Sequence, residues 1–230
     1  MGTMRHVRNP CSKPVIAFFD LDRTLLDVNS GGLWVKSEFR LGYISRWQLI
    51  RALFSLARYH LGVVELEPLI RRAIRLQAGV SQAALRGRTE AFFAREVRGR
   101  FRAGGLRALA AHRERGERLV LLTTSSCFLA ECVLREVGLD DVLATDFVID
   151  EAGKLTGAAV EPLCFGDGKL TLAAAYASDR DVPLSACTFY TDSIADRSVL
   201  EAVGHPVAVH PDPRLKRLAR VRSWPTVDWN

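Results

Sequence analysis

Four short, almost wholly apolar runs separated by helical patterns constrain this chain more than any other feature. They are VIAFF (Val15 to Phe19), LVLLTT (Leu119 to Thr124), ACTFY (Ala186 to Tyr190) and PVAV (Pro206 to Val209). Each is too short for a helix of ordinary length and is bounded by polar or turn residues, the pattern of a strand covered on both faces. Residues 104–116, 127–138, 168–179, 195–203 and 212–222 instead carry apolar positions at spacings of three and four. Strand and helix alternate, so the expected fold is α/β, a Rossmann-like doubly wound parallel sheet. One interruption is expected at Phe147 to Val160, where two short runs flank a Gly-containing turn and read as a hairpin.

Residues 31–103 follow a different pattern, with helical periodicity and no strand signal. Trp47, Ile50, Phe54, Ala57 and Leu61 share one helical face, and Leu66, Leu69, Ile70 and Ala73 share another. A third face carries Leu85, Thr89, Phe92, Phe93 and Val97, with Ser81 placed to cap its helix. The organisation expected is a core formed by residues 1–30 and 104–230, with a helical cap domain, 31–103, inserted after the first strand. Such a cap would lie over the carboxyl ends of the strands, where doubly wound sheets bind ligands.

Composition excludes several classes. A chain of 230 residues with 48% hydrophobic and 25% charged residues matches a soluble globular protein with a real core. No apolar stretch approaches the roughly 20 residues of a membrane helix. The N-terminus is basic and polar with no apolar segment behind it, so a cytoplasmic protein without a membrane span is expected. Five cysteines without CxxC spacing read as reduced, mostly buried thiols rather than disulfides or a zinc site. The net charge of +6 comes from dispersed arginines, which argues against nucleic acid as a partner and suits an anionic small substrate.

The residues that could carry chemistry cluster at predicted strand ends. Asp20 and Asp22 close the first run, and two carboxylates that near repel unless a cation or proton sits between them. Asp192 closes the third run, with Asp196 four residues on. In a parallel sheet these ends open on one edge, so the acids can form a hard-oxygen site of the kind Mg²⁺ occupies. Thr123 and Thr124 lie where the second run meets a helix N-terminus, a natural anion site. Lys169 begins a helix, where the dipole disfavours a cation unless an anion is near. Each feature alone also reads as a cap, a turn or a surface lysine.

Together these residues resemble the haloacid dehalogenase superfamily, in its phosphoserine-phosphatase-like branch. The pattern is DxDxT as Asp20, Asp22 and Thr24, a strand-end hydroxyl as Thr123, a lysine as Lys169 and a final acidic pair as Asp192 and Asp196. The resemblance implies a phosphatase in which Asp20 is the nucleophile and forms an aspartyl-phosphate, and Asp22 is the general acid and base. It implies Mg²⁺ held by the Asp20 carboxylate, the Asp22 backbone carbonyl and Asp192, with Asp196 behind them. Thr123, Thr124 and Lys169 would grip the phosphate, and the partner would be a small phosphorylated metabolite. Phosphotransfer to an alcohol through the same intermediate is one alternative; a non-catalytic phosphate-binding or regulatory protein is another. The oligomeric state is left open. Several positions depart from the family pattern. Arg23 stands where Gly, Ser or Asn is common, Asp167 where Glu is common, and Thr191 where Gly often precedes the metal aspartate. Asn29 stands where phosphoserine phosphatases carry a glutamate. Arg23 and Asn29 are therefore the candidates for selecting substrate.

Overall fold

The structure, a computed structural model, describes residues 15–51, 54 and 66–230. Its strands are β1 (Ile16–Phe19), β2 (Arg118–Ser126), β3 (Asp141–Thr145), β4 (Phe147–Ile149), β5 (Leu155–Ala159), β6 (Thr188–Thr191), β7 (His205–Val209) and β8 (Thr226–Val227). Six of them form one sheet in the order β3-β2-β1-β6-β7-β8, every pairing parallel. The α-helices are α1 (Ser30–Arg40), α2 (Leu66–Arg75), α3 (Gln82–Phe92), α4 (Ala103–Glu114), α5 (Cys127–Val137), α6 (Asp167–Ser178), α7 (Arg197–Ala202) and α8 (Pro213–Arg222).

The apolar character of β1 follows from its place at the centre. Successive side chains of a strand point to opposite faces, and both faces here are covered. Ala17 and Phe19 join a core with Leu109 of α4, Leu129 and Val133 of α5, and Trp229. Ile16 and Phe18 face a second core with Ala173 and Ala177 of α6, Leu200 of α7 and Leu215 of α8. All four β1 residues are fully buried, each large side chain contributing about 1.5–3 kcal/mol to folding. Helices on both faces make the sheet doubly wound. The strand order turns back at β1, which places the ligand crevice at the carboxyl ends of β1 and β6.

Two strands escaped the sequence pattern. β3 lies at the sheet edge with four of its five residues half-buried, so DVLAT never reads as an apolar run. β8 has only two residues. The expected hairpin is present as β4 and β5.

The helical insert leaves and re-enters the core at one seam. Leu26 bridges Phe101, the Arg102 N–H donates to the Leu25 carbonyl at 2.8 Å, and the Asp27 N–H donates to the Arg100 carbonyl at 3.0 Å. Leu85, Thr89, Phe92, Phe93 and Val97 are all buried, and the last three join the core beside β1. The hairpin also packs on the insert: the Leu155 N–H donates to the Val80 carbonyl, and Phe147 and Leu155 share a small core with Ile74 and Leu85. Ser81 takes the N-cap position of α3, but its side chain makes no cap bond and the expected capping is absent. Its backbone bridges Lys154 instead.

The remaining predicted stripe behaves differently. Trp47, Ile50 and Phe54 are helical, yet they are 74%, 54% and 63% exposed. Ala57 and Leu61 lie outside the described residues. Among the described residues no helix is long and apolar enough to cross a membrane. Cys132, Cys164 and Cys187 are free and buried and Cys127 is free and half-buried; Cys11 is outside the described residues.

Candidate active site

The register brings the strand ends level. Phe19 pairs with Leu121 on one side and with Tyr190 on the other. The Asp20 N–H extends the ladder by one bond, to the Tyr190 carbonyl at 2.9 Å. The chain then leaves the sheet through a single wide turn, Leu21–Leu25, closed by the Leu26 N–H on the Leu21 carbonyl. Asp20 and Asp22 therefore meet on a turn rather than along a continued strand. Arg23 sits at its apex with φ 59°, a left-handed conformation that costs a side-chain-bearing residue about 1 kcal/mol. This explains why Gly or Asn suits that position, and it leaves the Arg23 side chain exposed.

Lys169 is the hub. Its Nζ donates to Asp20 Oδ1 at 2.7 Å and to Asp196 at 3.0 Å, with all three side chains buried. These partners offset the unfavourable dipole at the start of α6. The glycines around it allow the approach. Gly166 has φ 53°, and a Cβ on Gly168 would lie 1.9 Å from the Leu163 carbonyl oxygen, so only glycine lets α6 start this close to the preceding loop. Asp167, between them, is exposed in the first turn of the helix.

Asp22 accepts from the Ser30 N–H at 2.6 Å and from the Ser125 hydroxyl at 3.3 Å. Ser30 is the first residue of α1, so the second carboxylate is held by the insert and by the β2 end together. Thr123 is buried, and its Oγ1 accepts from the Ser125 N–H at 3.1 Å within a β2 bulge. The Thr124 carbonyl accepts from the Thr145 hydroxyl. Thr24 is fully buried and its hydroxyl has no hydrogen-bond partner among the described residues.

Electrostatics follow from this crowding. Burial pushes the Asp20 carboxyl up to about 7, against the pull of Lys169 and with Asp196 adding repulsion. Burial, together with repulsion from Asp20 and Asp196, pushes Asp192 up to about 8. Asp22 is raised by burial, partly offset by its bonds to Ser30 and Ser125. Burial pulls the Lys169 ammonium down, but Asp196 and Asp20 outweigh it and its pKa ends above the ordinary range. Among the described residues no group of three or more His, Cys, Asp or Glu side chains is arranged to hold a metal. Asp20 and Asp192 nevertheless form a buried, mutually repelling pair of hard oxygen donors, and a Mg²⁺ site needs only one or two protein carboxylates.

The sequence profile of haloacid dehalogenase-like hydrolases matches residues 17–201. The chain belongs to this family. It is 30% identical over 217 residues to a probable phosphatase of Mycobacterium tuberculosis, covering 93% of this chain and 75% of that protein. It is 26% identical to a Bordetella pertussis protein of unknown function whose crystal structure superposes with a TM-score of 0.85, covering 95% of this chain and all of the other. A phosphoserine phosphatase solved as a phospho-aspartyl intermediate analogue shares the fold, with a TM-score of 0.68 at 17% identity over 90% of this chain and 91% of the other.

Within the haloacid dehalogenase fold, the residues singled out from the sequence gather at one edge, and three further contributors had been given no role there. Ser125 stood in the hydroxyl run TTSS, which gave a signal without saying which hydroxyl turns inward. Ser30 had no local signal, because it reaches Asp22 through its backbone. Thr191 was visible only as a departure from glycine; its hydroxyl donates to Asp196 Oδ2 at 2.6 Å and so fixes the carboxylate that holds Lys169. Asn29 is the N-cap of α1, its Oδ1 accepting from the Gly32 N–H at 2.8 Å.

Proposed function

We propose that this chain is a Mg²⁺-dependent phosphomonoesterase that hydrolyses a small organic phosphate through an aspartyl-phosphate on Asp20. The observation that carries the reading is the buried Asp20–Lys169–Asp196 chain beside a second carboxylate, Asp22, held by Ser30 and Ser125. The probable phosphatase among its relatives supports the same chemistry.

In the first step an Asp20 carboxylate oxygen attacks phosphorus and the bond to the leaving oxygen breaks, its electron pair staying on that oxygen. Asp22 gives the leaving oxygen a proton, and the raised pKa of its half-buried carboxyl suits that task. In the second step Asp22 takes a proton from water, the water oxygen attacks phosphorus, and the Asp20–phosphorus bond breaks. Inorganic phosphate leaves and Asp20 is restored. Lys169, Thr123 and Thr124 hold the transferred oxygens, and Asp196, itself set by Thr191, aims Lys169. Asp20 and Asp192, with the Asp22 carbonyl, would hold Mg²⁺, and Asp196 would stand behind them. When bound, the ion supplies positive charge that screens the nucleophile from an anionic substrate.

The helical insert acts as the cap that selects the leaving group. Asn29 brings a neutral amide already engaged in capping α1, so this position supplies no carboxylate to pair with a substrate ammonium. Arg23, exposed beside Asp192, favours substrates with a further anionic group. Phosphate release from an aryl phosphate, with and without Mg²⁺, tests the reading. Asp20→Asn is expected to lower kcat by about 10⁴-fold or more, and Mg²⁺-independent release or full activity in the variant would overturn it.

A further inference from the structure

Trp47 and Ile50 lie three residues apart on one helical face, and that face points outward: Trp47 is 74% exposed and Ile50 54%. Leu49, on the opposite side of the helix, is half-buried. Leu41, at the start of the same segment, is 53% exposed. Exposed apolar groups gathered in this way mark an interaction surface.

Charge decides what the partner is. From Phe39 to Val64 the sequence has four arginines (Arg40, Arg46, Arg51 and Arg58) and no acidic residue. Arg40 is paired with Glu96. Arg46 and Arg51 flank the apolar stripe, both exposed, and neither forms an ion pair among the described residues. A second copy of the chain docked face to face would set these arginines against each other with no acid in the segment to compensate. An anionic bilayer surface matches both features at once. Trp and Ile enter the boundary between headgroups and acyl chains, and the flanking guanidiniums remain among the lipid phosphates.

We propose that this face of the insert docks the protein on anionic membrane surfaces, lying in the interface without spanning the bilayer. The proposal is independent of the reaction assigned to Asp20. It places the entrance of the insert against the lipid and leaves the sheet core in water.

The test is flotation of the full chain with vesicles of phosphatidylcholine alone and of phosphatidylcholine mixed with phosphatidylglycerol, with tryptophan emission read in parallel. Binding to the anionic vesicles only is expected, with a blue shift that is lost in Trp47→Ser. Partition is expected to weaken by about tenfold or more in the Trp47→Ser, Ile50→Ser double variant and in Arg46→Glu, Arg51→Glu. In about 0.5 M salt, where screening shortens the reach of surface charge, binding is expected to fall for the native chain too. Thermal unfolding of each variant confirms that it is folded. No binding to anionic vesicles by the native chain, or equal binding by the folded double variants, would overturn the proposal. So would sedimentation showing a native dimer that Trp47→Ser, Ile50→Ser converts to monomer while vesicles bind neither.

Discussion

The helical insert contains two stripes written in the same code and used in opposite ways. Leu85, Thr89, Phe92, Phe93 and Val97 are buried, and Phe92 sits edge-on to Trp34 with ring centroids 5.2 Å apart. Trp47 and Ile50, three residues apart, repeat the spacing and stand out in solvent. A period of three and four residues states that a helix has an apolar face; it does not state what that face meets. What separates the two is their surroundings in sequence. The first stripe runs directly into the seam at Phe101 and Arg102, which ties it to the core. The second is flanked by unbalanced arginines that no buried interface would tolerate without partners.

This contrast gives predictions of decreasing size. Phe92→Ala empties a filled site in the core beside β1 and is expected to cost about 3–5 kcal/mol of unfolding free energy, read from denaturant titration. A loss below about 1 kcal/mol would mean that the first stripe is no better packed than the second.

The next test concerns the site that the packed stripe supports. The Asp20 and Asp192 carboxyls are pushed up to about 7 and about 8. A raised carboxyl pKa means that the folded state holds its proton more tightly than the unfolded one. The stability this confers is present below the ordinary range near 4 and is lost as pH rises through 7 to 8. Mg²⁺ binds the ionised form, so it is expected to raise the unfolding temperature more at about pH 8 than at about pH 5.5. At a hundredfold excess over Kd the gain at the higher pH corresponds to about 2.7 kcal/mol. Equal gains at both pH values would contradict the assignment of these two carboxylates as the cation's ligands. The smallest effect belongs to the exposed stripe: Trp47→Ser alone is expected to change stability by no more than about 0.5 kcal/mol in the absence of lipid.

The fold was legible wherever burial on two faces forced a continuous apolar run, as in β1 and β6, or where a helix was amphipathic, as in α5. β3 was illegible because an edge strand is half-solvated and its residues alternate weakly, and β8 was too short to register. The placement of Asp20, Asp22, Thr123, Lys169, Asp192 and Asp196 at one sheet edge was legible from strand ends and spacing. The groups that hold them were harder to see. Ser30 acts through a backbone amide, which no side-chain pattern reports. Ser125 and Thr191 act through hydroxyls whose direction is set by a bulge and by a short helical turn after β6.

The central claim is that Asp20 carries the phosphoryl group. Acid quenching during turnover of a labelled phosphomonoester with Mg²⁺, followed by mass spectrometry of the peptides, tests it most directly. Label is expected on the peptide containing Asp20, and none on that peptide from Asp20→Asn. Label confined to another peptide, or rapid turnover by Asp20→Asn with no labelled protein at all, would contradict it.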